Sequence, residues 1–154
     1  MQFIDRRWKI WECACGKGNL SERFRVLNFD VVATDVQGVG TYWLRNFLDW
    51  HPDAFDCIIT NPPFSLKDEF IARCYLLSRP FALLLPITAI GGVERQRLYR
   101  KYGGLQIMML GGRVKFETPS GEGTGAWQEH AWFTWGLNLP SELTFVALDR
   151  SSKR

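Results

Sequence analysis

The sequence predicts an α/β domain built on a mostly parallel sheet with helices on both faces. Three observations carry that expectation. Short apolar runs such as "DVVATDV" (30–36) and "FDCIIT" (55–60) have the composition of strands buried on both sides. Segments with apolar residues at helical spacing alternate with them, the pattern of a parallel sheet with crossover helices. Near the C-terminus, strand-like segments follow one another with no helix between, which predicts an antiparallel hairpin there.

Taken in order, "WKIWECA" (8–14) reads as the first strand and ends in the glycine turn "CGKGN". Leu20, Phe24 and Leu27 then fall on one face of a helix over 20–28. The second strand covers 30–36, and "GVGTYWLRNFLDW" is loop with a short strand. The strand at 55–60 leads into a helix over 65–78, with Ser65 as its expected N-cap. A proline-bounded strand follows at 80–86, then a basic helix at 93–104 stopped by glycine. Strands are predicted at 105–111, 113–119 and 129–137, with one more at 144–149. Between them "TPSGEGTGAW" (118–127) is a glycine-rich loop, long enough to suggest function or mobility.

The chain has 154 residues, which fits one domain over 1–150 with a frayed tail at 151–154. Its 46% hydrophobic and 23% charged composition argues against disorder. No apolar run approaches the roughly 20 residues of a membrane span, and "MQFIDRRWKI" lacks the apolar centre of a signal peptide, so a cytoplasmic protein is expected. Cys13, Cys15, Cys57 and Cys74 match no zinc spacing and read as reduced core thiols. The net charge of +3 permits a nucleic-acid partner without demanding one. Seven tryptophans are many for this length; they suit a core, and some suit stacking platforms.

Ligands bind at the carboxyl ends of strands in such sheets, and three of those ends carry unusual chemistry. In "ECACGKGN", Gly16 and Gly18 permit close backbone approach, and the next helix offers its amino-terminal amides to an anionic group. Asp35 closes the second strand, where a carboxylate can accept both hydroxyls of a ribose. The third is "TNPPF". Pro62 and Pro63 fix φ and remove two amide donors, which leaves carbonyls bare. Asn61 adds an amide oxygen beside the Pro62 carbonyl, so two acceptors converge where a planar NH2 group has two hydrogens to donate. Phe64 is placed to stack on the ring that bears such an amine.

Together these motifs resemble the S-adenosylmethionine-dependent amino-methyltransferases, and within them the DNA adenine-N6 group, whose signature is (D/N/S)-P-P-(Y/F). The resemblance spans roughly residues 9 to 137 and implies a single-domain, Rossmann-like class I methyltransferase with S-adenosyl-L-methionine as cofactor. It makes "WECACGKGNL" the cofactor motif, with Glu12 near the methionine moiety, Ala14, Gly16 and Gly18 in the turn, and Asp35 on the ribose. It places Asn46 and Phe47 as the acid-position and aromatic residues around the cofactor adenine. Asparagine departs from the usual acid, and Asp49 is a rival for the role. Asn61, Pro62, Pro63 and Phe64 become the catalytic loop. Phe116, in "RVKFETP", is the implied clamp on the other face of the flipped base, with Trp127 as its alternative. Arg113 and Lys115 flank Phe116 as phosphate contacts, and Arg95, Arg97, Arg100 and Lys101 form a second basic group. His51 and His130 receive no role.

About nine residues precede the first strand, so the reading expects no helix closing over the cofactor and no separate target-recognition domain, as in small forms resembling those of bacteriophages. It implies weak sequence specificity, specificity supplied by a homodimer or a partner, or weak cofactor binding. The expected substrate is adenine in DNA. Alternatives are RNA adenine, a protein glutamine, or a catalytically silent module that binds nucleic acid or a partner.

Overall fold

The structure, a computed structural model, describes residues 3–37, 43–112 and 129–147. Among them eight strands form one sheet: β1 (Lys9–Glu12), β2 (Asp30–Asp35), β3 (Trp43–Leu44), β4 (Cys57–Thr60), β5 (Phe81–Pro86), β6 (Gln106–Leu110), β7 (His130–Trp135) and β8 (Leu143–Val146). Their spatial order is β3-β2-β1-β4-β5-β7-β6-β8. Neighbours pair in parallel except where β7 inserts between β5 and β6, antiparallel to both. The mostly parallel sheet and its antiparallel C-terminal strand pair are therefore present as expected. The last strand, β8, lies parallel to β6 rather than extending the hairpin.

Helices α1 (Asn19–Val26), α2 (Lys67–Leu77) and α3 (Val93–Tyr102) cover the two faces. Alternation along the strands decides which side chains each face receives. In β1, Ile10 packs with Phe24 of α1, whereas Trp11 faces Phe70, Ile71, Cys74 and Tyr75 of α2. In β4, Ile59 joins the α1 side and Ile58 the α2 side. Strands buried on both faces need apolar residues at every position, which is why these segments read as continuous runs. Each large side chain enclosed this way contributes about 1.5–3 kcal/mol.

All four cysteines are buried and free. Burial pushes the Cys57 thiol up to about 12, which suits inert core thiols. The helix after the proline loop differs from expectation at its start. A 3-10 turn over Phe64–Leu66, closed by Leu66 N donating to Pro63 O at 2.9 Å, precedes α2, so the Pro63 carbonyl is not left bare as expected. Ser65 thus lies inside that turn and is not the N-cap; Leu66 holds that position without a side-chain cap. The two prolines hold the chain extended, so it must tighten before it can enter the helix.

Tyr75 is fully buried, stacked on Tyr102 at 4.6 Å, and its hydroxyl has no hydrogen-bond partner among the described residues. A buried, unsatisfied hydroxyl costs about 1–3 kcal/mol. Tyr75→Phe is therefore expected to hold or raise stability, by up to about 1 kcal/mol. Urea unfolding checks this, and a loss above about 1 kcal/mol would contradict it.

Candidate active site at the carboxyl edge of the sheet

The strand order reverses at β1, whose neighbours are β2 on one side and β4 on the other. In doubly wound sheets the carboxyl edge at such a reversal is where ligands bind. The structure brings Glu12, Gly16, Gly18, Asp35 and Asn61 to this edge, from the ends of β1, β2 and β4 and the turn after β1. Trp11 Nε1 donates to Thr34 Oγ1 at 2.9 Å, a buried bond that ties β1 to β2 just below the site.

The glycine turn is built on left-handed backbone. Gly16 has φ 50° and Gly18 φ 84°, conformations that cost other residues about 1 kcal/mol or more. A Cβ at Gly16 would meet nothing within 4 Å, so the turn borders open space. Gly18 N donates to Cys15 O at 2.7 Å, and Cys15 N to Thr34 O at 3.1 Å. Gly16 N donates to Asp35 Oδ2 at 2.8 Å, while Asp35 Oδ1 accepts from Gln37 N at 2.8 Å. Asp35 thus ties the glycine turn to the end of β2, and each of its oxygens has room for further donors.

Glu12 is only 2% exposed, and its carboxylate accepts a hydrogen bond from the buried Ser21 hydroxyl of α1. Burial pushes this carboxyl up to about 7; the Ser21 bond and the Arg25 charge act against that rise, and Asp35 adds to it. An acid poised there suits a cationic partner.

Around the proline loop, Pro62 is buried and Phe64 is 36% exposed. The side-chain oxygen of Asn61, Oδ1, is buried without a hydrogen-bond partner among the described residues. The Phe64 ring packs against that of His130, centroids 5.1 Å apart, at the start of β7 opposite Pro86. Sequence reading passed over both His130 and Ser21. Ser21 carries a faint signal, a small hydroxyl residue in the first helical turn after the glycines; His130 carries none, because only sheet pairing puts it beside Phe64.

Two expectations for the cofactor adenine change. Phe47 is 1% exposed, with its ring stacked on Phe70 at 4.5 Å and tilted against Trp11 at 5.2 Å. Its ring belongs to the core, since an aromatic beside Trp11 and α2 gains more from burial than from a half-wet edge. Asn46 and Asp49, rivals by sequence, stand together: Asn46 Nδ2 donates to Asp49 Oδ2 at 3.1 Å, and Asn46 Oδ1 accepts from Leu48 N. Ala14 lies half-buried in the turn. Arg113, Lys115, Phe116 and Trp127 fall outside the described residues, as do the predicted strand at 113–119 and the tail at 151–154.

On the basic helix, Arg95 bonds to Ala89 O, Gly91 O and Asp68, and Arg97 to Glu94. Arg95 is spent on tying α3 to α2 rather than free for phosphate. A concavity of about 600 Å³ opens at the opposite, amino edge, lined in part by Lys9, Asp30 and Asp56. Within it Lys9 Nζ meets Asp30 at 3.2 Å, and Asp56 accepts from Lys9 N.

No protein-family model matches the chain, and no curated protein matches it in sequence. Solved structures do. It is similar to a protein from Listeria monocytogenes assigned as a class I S-adenosylmethionine-dependent methyltransferase, with TM-score 0.62 and 16% identity, covering 94% of this chain and 59% of that one. It is also similar to the 1,6-didemethyltoxoflavin-N1-methyltransferase of Burkholderia thailandensis, a structure with bound S-adenosylhomocysteine, with TM-score 0.54 and 13% identity over 84% and 70% of the two chains. A type I restriction enzyme modification subunit from Vibrio vulnificus gives TM-score 0.55 and 13% identity over 86% of this chain and 41% of that one. On this architecture, strand order and likeness, the chain has the fold of the class I S-adenosylmethionine-dependent methyltransferases.

Proposed function

We propose that the protein is an S-adenosylmethionine-dependent methyltransferase acting on the exocyclic N6 amine of adenine in DNA. The carrying observation is Asn61: a buried amide oxygen with no partner among the described residues, at the carboxyl end of β4. An unsatisfied buried oxygen costs about 1–3 kcal/mol. Unlike the core hydroxyl of Tyr75, this one follows the carboxyl end of β4, the edge where such sheets bind ligands. Here the missing partner is a donor from outside.

The residues at this carboxyl edge fit the cofactor. The open space at Gly16 accommodates a ligand against bare backbone. Asp35 supplies an acceptor for ribose hydroxyls, Glu12 a carboxylate for an ammonium, and Asn46 with Asp49 polar edges for the adenine. Bound S-adenosylmethionine supplies an electrophilic methyl group on a sulfonium.

The chain's own residues do the rest. Asn61 Oδ1 and the Pro62 carbonyl accept the two N–H bonds of the target amine. That draws nitrogen away from conjugation with its ring and frees the lone pair. The same acceptors stabilise the positive charge that develops on nitrogen, a pre-set electrostatic effect that needs no strong base. Pro63 holds the loop extended, φ −60° and ψ 126°, so that the acceptors stay aimed. Phe64 presents a ring face to the base, which offsets part of the cost of unstacking it. Phe116 or Trp127 would close on the other face, with Arg113 and Lys115 against phosphate. The net charge of +3 suits a polyanionic substrate. Sequence specificity would come from a second copy or a partner.

Transfer of tritiated methyl from the cofactor to DNA, RNA and protein tests the proposal, followed by mass spectrometry of the digested DNA for N6-methyladenine. Label in DNA as N6-methyladenine is the expected result. Label confined to RNA or to protein glutamine would keep the chemistry and overturn the substrate.

A further inference from the structure

One buried polar pair joins the cofactor motif to a residue that the proposed chemistry does not use. Ser21 is fully buried in the first turn of α1, and its hydroxyl donates to the Glu12 carboxylate at the end of β1. A fully buried serine is otherwise a poor choice, since it fills little volume and brings a hydroxyl that must be satisfied. The apolar anchor of α1 against β1 and β4 is Phe24.

We propose that Ser21 is a positioning residue for the cofactor, holding the Glu12 carboxylate at the floor of the glycine turn so that it meets the ammonium group of the methionine moiety. This rests on the cofactor reading given above. A carboxylate side chain has three rotatable bonds, and only some rotamers present its oxygens to the turn. Accepting from Ser21 selects among those rotamers before the ligand arrives, so less ordering remains to be done on binding. The bond also favours the ionised form, the one an ammonium requires.

The pair links cofactor binding to pH. Burial has pushed Glu12 up to about 7. The charged and titratable groups facing it are Arg25 of α1, Asp35 of β2, and the Cys13 and Cys15 thiols beside it. An arriving ammonium favours the carboxylate, so binding releases a proton wherever Glu12 is still protonated. Affinity should therefore rise as pH rises through about 7. It should fall again above about 8, where an α-amino group loses its own charge. Without the Ser21 donor the ionised form is less favoured, and the rising limb moves to higher pH.

Calorimetric titration with S-adenosylmethionine at several pH values, in buffers of different ionisation enthalpy, reads affinity and proton release together. Ser21→Ala is expected to bind about tenfold more weakly at pH 7, the loss of one hydrogen bond to a charged group, with its rising limb shifted upward. Ser21→Thr, which keeps the hydroxyl, should restore the wild-type profile. Should Ser21→Ala not fold, Ser21→Cys, similar in size and a weak donor, is expected to show the same shift. Wild-type affinity and an unshifted limb in the folded variant lacking the hydroxyl would overturn the proposal. Failure of the underlying reading looks different: wild type itself binds no cofactor, or Glu12→Gln retains full affinity and the same proton release.

Discussion

Asn61→Ala is expected to lower methyl transfer by about 10²–10³-fold, while S-adenosylmethionine affinity stays within about threefold of wild type. The magnitude is that of removing one preorganised group aimed at developing charge, about 2.7–4 kcal/mol. The split between turnover and binding follows from where the oxygen sits. Asn61 Oδ1 is buried and satisfied by no described residue, so truncating it breaks no hydrogen bond to that oxygen in the resting protein. The apo protein should even gain slightly in stability, because an unsatisfied acceptor disappears. Asn61→Asp keeps an acceptor and should retain more activity than Asn61→Ala. Single-turnover kinetics with saturating cofactor make the measurement; an alanine variant turning over at the wild-type rate would remove Asn61 from the chemistry.

The second large effect is at Asp35. Asp35→Ala should weaken S-adenosylmethionine binding by about 100-fold, near 3 kcal/mol, measured by calorimetry near pH 7.5. Two losses add. The variant gives up charge-assisted bonds to ribose hydroxyls, each worth about 1.5–3 kcal/mol. It also releases the Gly16 amide, now held at 2.8 Å, so the glycine turn loses the contact that fixes it beside β2. Asp35→Asn should fall between, because an amide can offer one oxygen but must turn its nitrogen toward either Gly16 N or Gln37 N. An affinity within about threefold of wild type for Asp35→Ala would mean that the ribose is held elsewhere.

Both variants act on residues that the sequence marked out, and the reason is local. Two prolines after an apolar run remove donors and fix φ whatever the rest of the chain does. Glycines at 16 and 18 announce a turn that other residues would strain, and the acid at 35 closes an apolar run that reads as a strand. The parallel sheet was legible for the same reason, since the alternation of buried strands and helical spacing leaves few topologies. Where competing local preferences met, the reading slipped. Ser65 is an acceptable cap by composition, but Pro62 and Pro63 kept the chain extended past it and forced a 3-10 turn instead.

Phe47 shows the limit of motif matching. Its position beside Asn46 suggested a ring against the cofactor, yet Trp11 and Phe70 enclose it from strands and helices distant in sequence. The ring now anchors the loop that carries Asn46 and Asp49. A motif says which residue stands at an edge; the surrounding packing says which way its side chain turns.

By itself, then, the sequence determined the alternation of strands and helices, the glycine turn, and the donor-free proline pair, because each depends only on the torsional and hydrogen-bonding limits of neighbouring residues. Tertiary structure alone decided the insertion of β7 between β5 and β6, the bond from Ser21 to Glu12, the contact of His130 with Phe64, and the burial of Phe47. Those depend on segments far apart in the chain meeting in space, where polar groups that leave water must find partners and apolar rings must find one another.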